Sequence, residues 1–234
     1  MQVIVVKDKY QGGKKAFEII EKMMQEEEVN CVGLATGSTP ITLYQEMVNS
    51  PLDFSDKVSI NLDEYCDLEE DHPQSYHYFM KEHLLNHKAF KESYVPDGMK
   101  DKDEAVKEYD AILEKYPIDI QILGIGENGH VGFNEPGTSF DSKTHVADLS
   151  DSTIEANSRF FNSNEEVPRT AITMGIKSIN DAKAIILIAY GEAKADAIAA
   201  TVEGPGTEEV PASALQNHPN VFVIVDEAAA SKLQ

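Results

Sequence analysis

Ile118-Asp119-Ile120-Gln121-Ile122-Leu123-Gly124-Ile125-Gly126-Glu127-Asn128-Gly129-His130-Val131-Gly132-Phe133-Asn134-Glu135-Pro136-Gly137 is the stretch whose reading decides the fold. Its first part is an apolar run of strand length. Its second part is a glycine-rich loop carrying an imidazole, carboxamides and carboxylates. Apolar runs without strict alternation suit strands buried on both faces, as in a parallel sheet covered by helices. Open α/β sheets bind ligands where such strands end. Gly124, Gly126, Gly129 and Gly132 let backbone amides approach a ligand or take up positive φ, and His130 exchanges a proton near neutral pH. A turn built around a hydrogen-bonded structural histidine has the same composition, so the rest of the chain must decide between the two.

Working outward, similar runs occur at residues 3–6, 32–35, 58–62, 184–190 and 221–225. Between them, residues 13–25, 40–48, 74–85, 103–115 and 192–201 carry apolar side chains at helical spacing. This is βαβ order, which predicts an α/β fold with a mainly parallel central sheet flanked by helices. Residues 137–170 are polar with scattered aromatics and are expected to form an excursion or lid, while residues 203–211 form a Gly/Pro-containing loop. The 234 residues, 41% hydrophobic, are expected to make a single domain spanning 1–234.

Several classes of function are disfavoured by composition. The longest apolar run, 184–190, is far short of the roughly 20 residues that span a bilayer. The start, Met-Gln-Val-Ile-Val-Val-Lys, reads as a strand rather than a leader, so a cytoplasmic protein is expected. Cys31 and Cys66 are too few for a disulfide framework and lack metal-ligand spacing with each other, so two reduced thiols are expected. Twenty basic against 41 acidic residues give a net charge of -21, which argues against nucleic acid or an anionic membrane as partner. An anionic ligand would need a local clamp to overcome that field.

Three further segments bear on such a clamp. Ala35-Thr36-Gly37-Ser38-Thr39-Pro40 lies between a strand and a helix, with Pro40 suited to the first helical position. Free amides at the helix N-terminus, with the Ser38 and Thr39 hydroxyls, would suit a phosphate; ordinary Ser/Thr capping of the helix is the alternative. Neither a nucleotide P-loop nor a dinucleotide fingerprint fits, since the Lys and the glycine spacing are absent. Ser59-Ile60-Asn61-Leu62-Asp63-Glu64-Tyr65 places two acids at the end of a strand, and Asp63 is the one expected to face a cleft as a base, against the alternative of a solvated acidic loop. Arginine is scarce. Arg159 in Asn157-Ser158-Arg159-Phe160-Phe161 and Lys194 after Gly191 are candidate phosphate contacts or, taken singly, surface charges.

Together, Leu34 to Pro40, Asn61-Leu62-Asp63-Glu64-Tyr65, His72-Pro73-Gln74-Ser75-Tyr76, the 124–137 loop, Asn157 to Phe161, Gly191 to Lys194 and Val202-Glu203-Gly204 resemble the glucosamine-6-phosphate deaminase family, in order along nearly the whole chain. The resemblance implies a modified Rossmann-like sandwich and conversion of glucosamine 6-phosphate and water into fructose 6-phosphate and ammonia, without metal or organic cofactor. It assigns the phosphate to Gly37, Ser38, Thr39, Arg159 and Lys194. Thr36, Gly124 and Gly132 are assigned to the sugar. Ring opening falls to His130, supported by Asn128 and Glu135, and the C2 proton to Asp63. Many relatives have Asp where this chain has Asn128. Asn supplies no charge but still orients the ring, so Glu135 is expected to become the electrostatic partner of His130.

Two rival readings are discriminated by residues. A 6-phosphogluconolactonase shares the Thr-Gly-Ser-Thr-Pro-like loop and the glycine-histidine loop but lacks Glu135 after Phe133-Asn134. A non-catalytic sugar-phosphate sensor would not need Asp63, His130 and Glu135 together. Longer hexameric members of the family bind N-acetylglucosamine 6-phosphate with two serines, an Arg, a Lys and a further C-terminal segment. Here those positions read Thr138, Ser139, His145 and Ala147, and the sequence runs only to Gln234. A monomer or small homo-oligomer without that activation is expected.

Overall fold

The computed structural model describes residues 1–159, 161–163 and 166–234. Phe160 of the Asn157 to Phe161 segment, and residues 164 and 165 of the predicted excursion, lie outside the described residues. In chain order the elements are β1 (Gln2–Val6), α1 (Lys9–Glu26), β2 (Cys31–Leu34), α2 (Ile41–Asn49), β3 (Val58–Asn61), β4 (Asp63–Tyr65) and α3 (Tyr76–Met80). A π-helical turn, Lys81–Leu85, continues α3. There follow β5 (Glu92–Tyr94), α4 (Lys102–Lys115), β6 (Ile120–Leu123), β7 (His145–Asp148), α5 (Asp151–Ser158), β8 (Thr170–Thr173), α6 (Ile176–Asn180) and β9 (Ala184–Ala189). The 3-10 turn Glu192–Lys194, α7 (Ala195–Val202), a second 3-10 segment Pro211–Asn217 and β10 (Val221–Asp226) complete it.

Seven strands form one sheet in the order β1-β10-β9-β6-β2-β3-β5, and every pairing in it is parallel. The apolar runs supply six of the seven strands; the inner ones are mainly apolar because both of their faces are covered, while the edge strand β1 leaves Val5 exposed. β2, β6 and β9 are buried along their whole length. One core packs Ile60, Leu123, Ile185 and Val223 on one face of the sheet, and a second packs Val32, Ile122, Ile186 and Ile224 on the other. Asp119, the acid inside the opening run, is 4% exposed and stitches the sheet: its Oδ2 accepts the amides of Asn30 (2.7 Å) and Cys31 (2.9 Å), and Lys183 pairs with its Oδ1.

Two boundaries move for identifiable reasons. The first helix begins at Lys9 rather than Gly13, because Asp8 accepts the amides of Tyr10 (3.0 Å) and Gln11 (2.9 Å) as a cap. The run at 58–62 stops at Asn61. The chain turns at Leu62 and Asp63–Tyr65 starts a separate strand in a three-stranded antiparallel sheet, β4-β8-β7. Part of the expected 137–170 excursion thus has regular structure: β7 belongs to that small sheet and α5 is capped by Ser150, whose Oγ accepts the Thr153 amide (3.2 Å).

Candidate active site

From β2 the chain winds outward through β3 to β5, and from β6 it winds the other way through β9 to β10. The loops leaving the carboxyl ends of adjacent β2 and β6 therefore diverge, which opens a crevice at the switch point of the sheet. A cleft of about 840 Å³ occupies it. Thr36, Gly37, Ser38 and Thr39 line it from the loop after β2, and Gly124, Asn128, His130 and Gly132 from the loop after β6. Asp63, Arg159 and Lys194 complete the wall. Of the residues that the resemblance assigns to catalysis, phosphate or sugar, only Glu135 lies behind the lining.

The loop after β2 is held from below. The Tyr44 hydroxyl, fully buried, accepts the Ala35 amide (3.1 Å) and donates to the Ala35 carbonyl. Gly37 then turns with φ +92°. The helix begins at Ile41 with Pro40 just outside it, one residue later than the sequence suggested, and no side chain hydrogen-bonds its N-terminus. Ser38 and Thr39 are therefore not ordinary caps, and the first amides of α2 point towards the cleft end with the helix dipole behind them.

The loop after β6 builds a relay. Asn128 Oδ1 sits 2.7 Å from His130 Nδ1 and also accepts the His130 amide at 3.1 Å, while Asn128 Nδ2 donates to Glu135 Oε2 at 2.8 Å. With the carboxamide nitrogen committed to Glu135, its oxygen can only accept, so Nδ1 of His130 carries the proton and Nε2 keeps its lone pair. Glu135 Oε2 is 3.6 Å from Nδ1, close enough to act on its charge but not its hydrogen-bond partner. Its other oxygen accepts from Thr153 and from Ser150 (3.3 Å), at the start of α5. Burial lowers the His130 pKa below its ordinary value, Lys194 lowers it further, and Glu135 opposes both. The ring is a neutral base at pH 7. Gly126 makes room for it: a Cβ there would lie 2.2 Å from Cε1 of the imidazole.

Asp63 is 6% exposed and Glu64 1%, so the alternative of a solvated acidic loop is wrong for both. Burial, and secondarily the charge of Glu64, push the Asp63 carboxyl up to about 8. Its Oδ2 faces Gly132, which has φ +59° and where a Cβ would come within 3.5 Å of that oxygen and 2.8 Å of Thr173 Oγ1. The start of β4 and the loop after β6 thus bring a carboxylic acid and an imidazole, each displaced towards neutrality, to one cleft. Burial also lowers the Lys194 pKa, with Arg159 lowering it further and Glu127 opposing. Two cations are concentrated there in an acidic chain.

Other lining residues were not singled out. Tyr65, Tyr76, Phe133 and Phe161 form a ring cluster, with Tyr65–Tyr76 centroids 4.9 Å apart and Tyr76 stacked on Phe133 at 6.0 Å. It packs the small sheet against α3. The neighbouring aromatics in the quoted segments were the available signal. Thr153 and Ser150 carried none, since a hydroxyl three residues into an exposed-looking helix start is ordinary. Among the described residues no group of three His, Cys, Asp or Glu side chains is placed to hold a metal ion, and no helix is long and apolar enough to cross a membrane.

A parallel sheet with a polar, cation-bearing cleft at its switch point is the build of an α/β protein for small phosphorylated ligands. The model of the family described as glucosamine-6-phosphate isomerases/6-phosphogluconolactonase matches residues 10–223, and the chain belongs to that family. It is 62% identical to a glucosamine-6-phosphate deaminase of Lactobacillus johnsonii, over 100% of this chain and 98% of that one. A solved monomeric glucosamine-6-phosphate deaminase superposes with a TM-score of 0.95 at 38% identity, over 99% of this chain and 100% of that one. The 6-phosphogluconolactonase of Leishmania guyanensis shares the fold, with a TM-score of 0.82 over 100% of this chain and 98% of that one, but only 19% of its residues.

Proposed function

We propose that this chain is a glucosamine-6-phosphate deaminase, converting glucosamine 6-phosphate and water into fructose 6-phosphate and ammonia. The observation that carries the reading is one cleft holding a buried, basic carboxyl at Asp63 together with the His130–Asn128–Glu135 relay. The 62% identity over the whole chain supports the same substrate, whereas the likeness to lactonases extends to the fold alone. The phosphate occupies the loop at Gly37, Ser38 and Thr39 with Arg159 and Lys194. The sugar ring lies against Thr36, Gly124 and Gly132.

His130 Nε2 takes the C1 hydroxyl proton and returns it to ring oxygen O5, which opens the pyranose. Glu135, acting through Asn128, steadies the imidazolium that forms in between. Asp63 removes the C2 proton while O1 gains one from the substrate's ammonium, which gives a cis-enolamine, and Asp63 then delivers its proton to C1. Water adds to the resulting C2 imine, and the carbinolamine releases ammonia. Each step moves a proton between groups present in the chain and substrate. Release of ammonia and fructose 6-phosphate in equal amounts tests the reading, and turnover is expected to survive exhaustive EDTA treatment. Loss of turnover on chelation, restored by a divalent ion, would contradict the absence of a metal step.

The same reading makes the enzyme non-allosteric. Thr138, Ser139, His145 and Ala147 offer no Arg or Lys to a second phosphate, and Ala147 is buried. An effector acts only through differential affinity for two states. Hyperbolic kinetics, unchanged by N-acetylglucosamine 6-phosphate, and a monomer in sedimentation are expected. Sigmoidal curves that the effector renders hyperbolic, together with a hexamer, would overturn this. A dianionic substrate that does not cross a bilayer unaided puts the site of action in the cytoplasm.

A further inference from the structure

The second acid of the Asp63-Glu64 pair has no part in the scheme above, yet it is the more deeply buried, at 1% exposure. Its side chain points away from the cleft lining and into the start of α3. Oε1 accepts the Tyr65 amide at 2.8 Å, and the Tyr76 amide is shared between Oε1 (3.0 Å) and Oε2 (2.9 Å). Oε2 also accepts the His77 amide at 3.0 Å and lies 2.9 Å from His77 Nδ1. Both oxygens are engaged by N–H groups, so the carboxyl acts as an acceptor on each side. The helix it anchors is no remote element. Tyr76, Tyr78 and Phe79, with Glu82 and His83 of the π-helical turn that follows, form one wall of the cleft.

We propose that Glu64 is a positioning residue for the reaction: it pins the wall formed by α3 to the strand that carries Asp63, and sets its negative charge beside the Asp63 carboxyl. Three observations bear on this independently. The bonds run from β4 to an element more than ten residues away, so local turn geometry does not account for them. The energetic cost of burying a second carboxylate beside the first is one that an apolar residue would avoid. The other ionisable groups facing Asp63 are Tyr65 on the same strand, Tyr76 on α3 and Tyr109 on α4, all held neutral by burial, with neutral His130 lining the same cleft. Glu64 is thus the charged neighbour that acts on Asp63, with His77 on its far side.

This rests on Asp63 being the base, and the experiment separates the two claims. The acid limb of kcat/KM against pH is measured for wild type, Glu64→Gln and Glu64→Asp. The free enzyme's groups and the substrate's own phosphate and amine set that profile, and only the enzyme's groups change between variants. Glu64→Gln removes the charge and turns one acceptor into a donor facing amides. Its limb is expected to move to lower pH by at least about half a unit, with plateau kcat at least about tenfold down. Glu64→Asp keeps the charge but draws it back from α3. Its limb is expected to stay at the wild-type pH while KM rises, and it serves alone if the Gln variant does not fold. A limb in Glu64→Gln that coincides with wild type, or one in Glu64→Asp that shifts downward, would overturn the proposal. If Asp63→Asn retains normal turnover, the underlying assignment of the base has failed instead.

Discussion

Asp63→Asn is expected to lower kcat by at least about 100-fold while leaving KM nearly unchanged, because it removes a positioned base and keeps the shape that the sugar meets. The same substitution should stabilise the fold at alkaline pH. The Asp63 carboxyl has its pKa raised from 3.8 when free to about 8 in the folded chain, so the folded state holds this proton more tightly than the unfolded state does. Any stability from that proton is complete below the unfolded pKa and is lost as pH rises from about 4 through 8. Asparagine has no charge to bury and escapes the loss. Thermal unfolding should therefore show Asp63→Asn above wild type by several degrees at pH 8, with the gap closing towards pH 4. Equal melting temperatures at pH 8 would mean that burial does not raise the Asp63 pKa as described, and near-normal kcat would remove it from the chemistry.

Arg159→Ala should act on substrate binding rather than on the proton transfers. Arg159 follows α5 directly, lines the cleft and lowers the Lys194 pKa, so the two cations share one neighbourhood. A charge-assisted contact to phosphate is worth roughly 1.5 to 3 kcal/mol, which is about 10- to 150-fold in affinity. The net charge of -21 sharpens the expectation, since without the local clamp the long-range field repels the substrate. KM should rise by that factor with kcat little altered, because the phosphate is bound alike before and during the reaction. An unchanged KM would make Arg159 a surface charge.

How much of this was legible depends on the kind of burial each segment meets. The runs of the inner strands of the parallel sheet are mainly apolar because both faces are covered, and they located the carboxyl-edge loops that carry Thr36 to Thr39 and His130. β5, with Glu92, Ser93 and Tyr94, lies at the sheet edge and shows no such run. β4, β7 and β8 pair antiparallel in a small sheet, and residues such as His145 and Asp148 gave them the look of a loop. Asp63 was found because it follows an apolar strand, but the sequence could not show that the strand ends two residues earlier and that a new one begins at Asp63 itself. Glu64 was invisible for a different reason. Its partners are main-chain amides of Tyr76 and His77, and an amide leaves no mark on the identity of the residue that bears it.

The family resemblance carried by the 124–137 loop implied Asn128 and Glu135 as supports of His130, with Asn expected to orient the ring and Glu135 to supply charge. The geometry adds the direction of the hydrogen bonds, and hence which ring nitrogen is left to act on substrate. The hydroxyls that hold Glu135, on Thr153 and Ser150, come from a helix start within the segment read as an excursion.

The most direct test of the account is a time course of the purified protein with glucosamine 6-phosphate, followed by NMR, alongside a parallel sample given 6-phosphogluconolactone. The account predicts that fructose 6-phosphate and ammonium appear one for one in the first, that Asp63→Asn slows both by at least about 100-fold, and that lactone hydrolysis in the second stays at the uncatalysed rate. Rapid lactone hydrolysis with no ammonium from the amino sugar would contradict it.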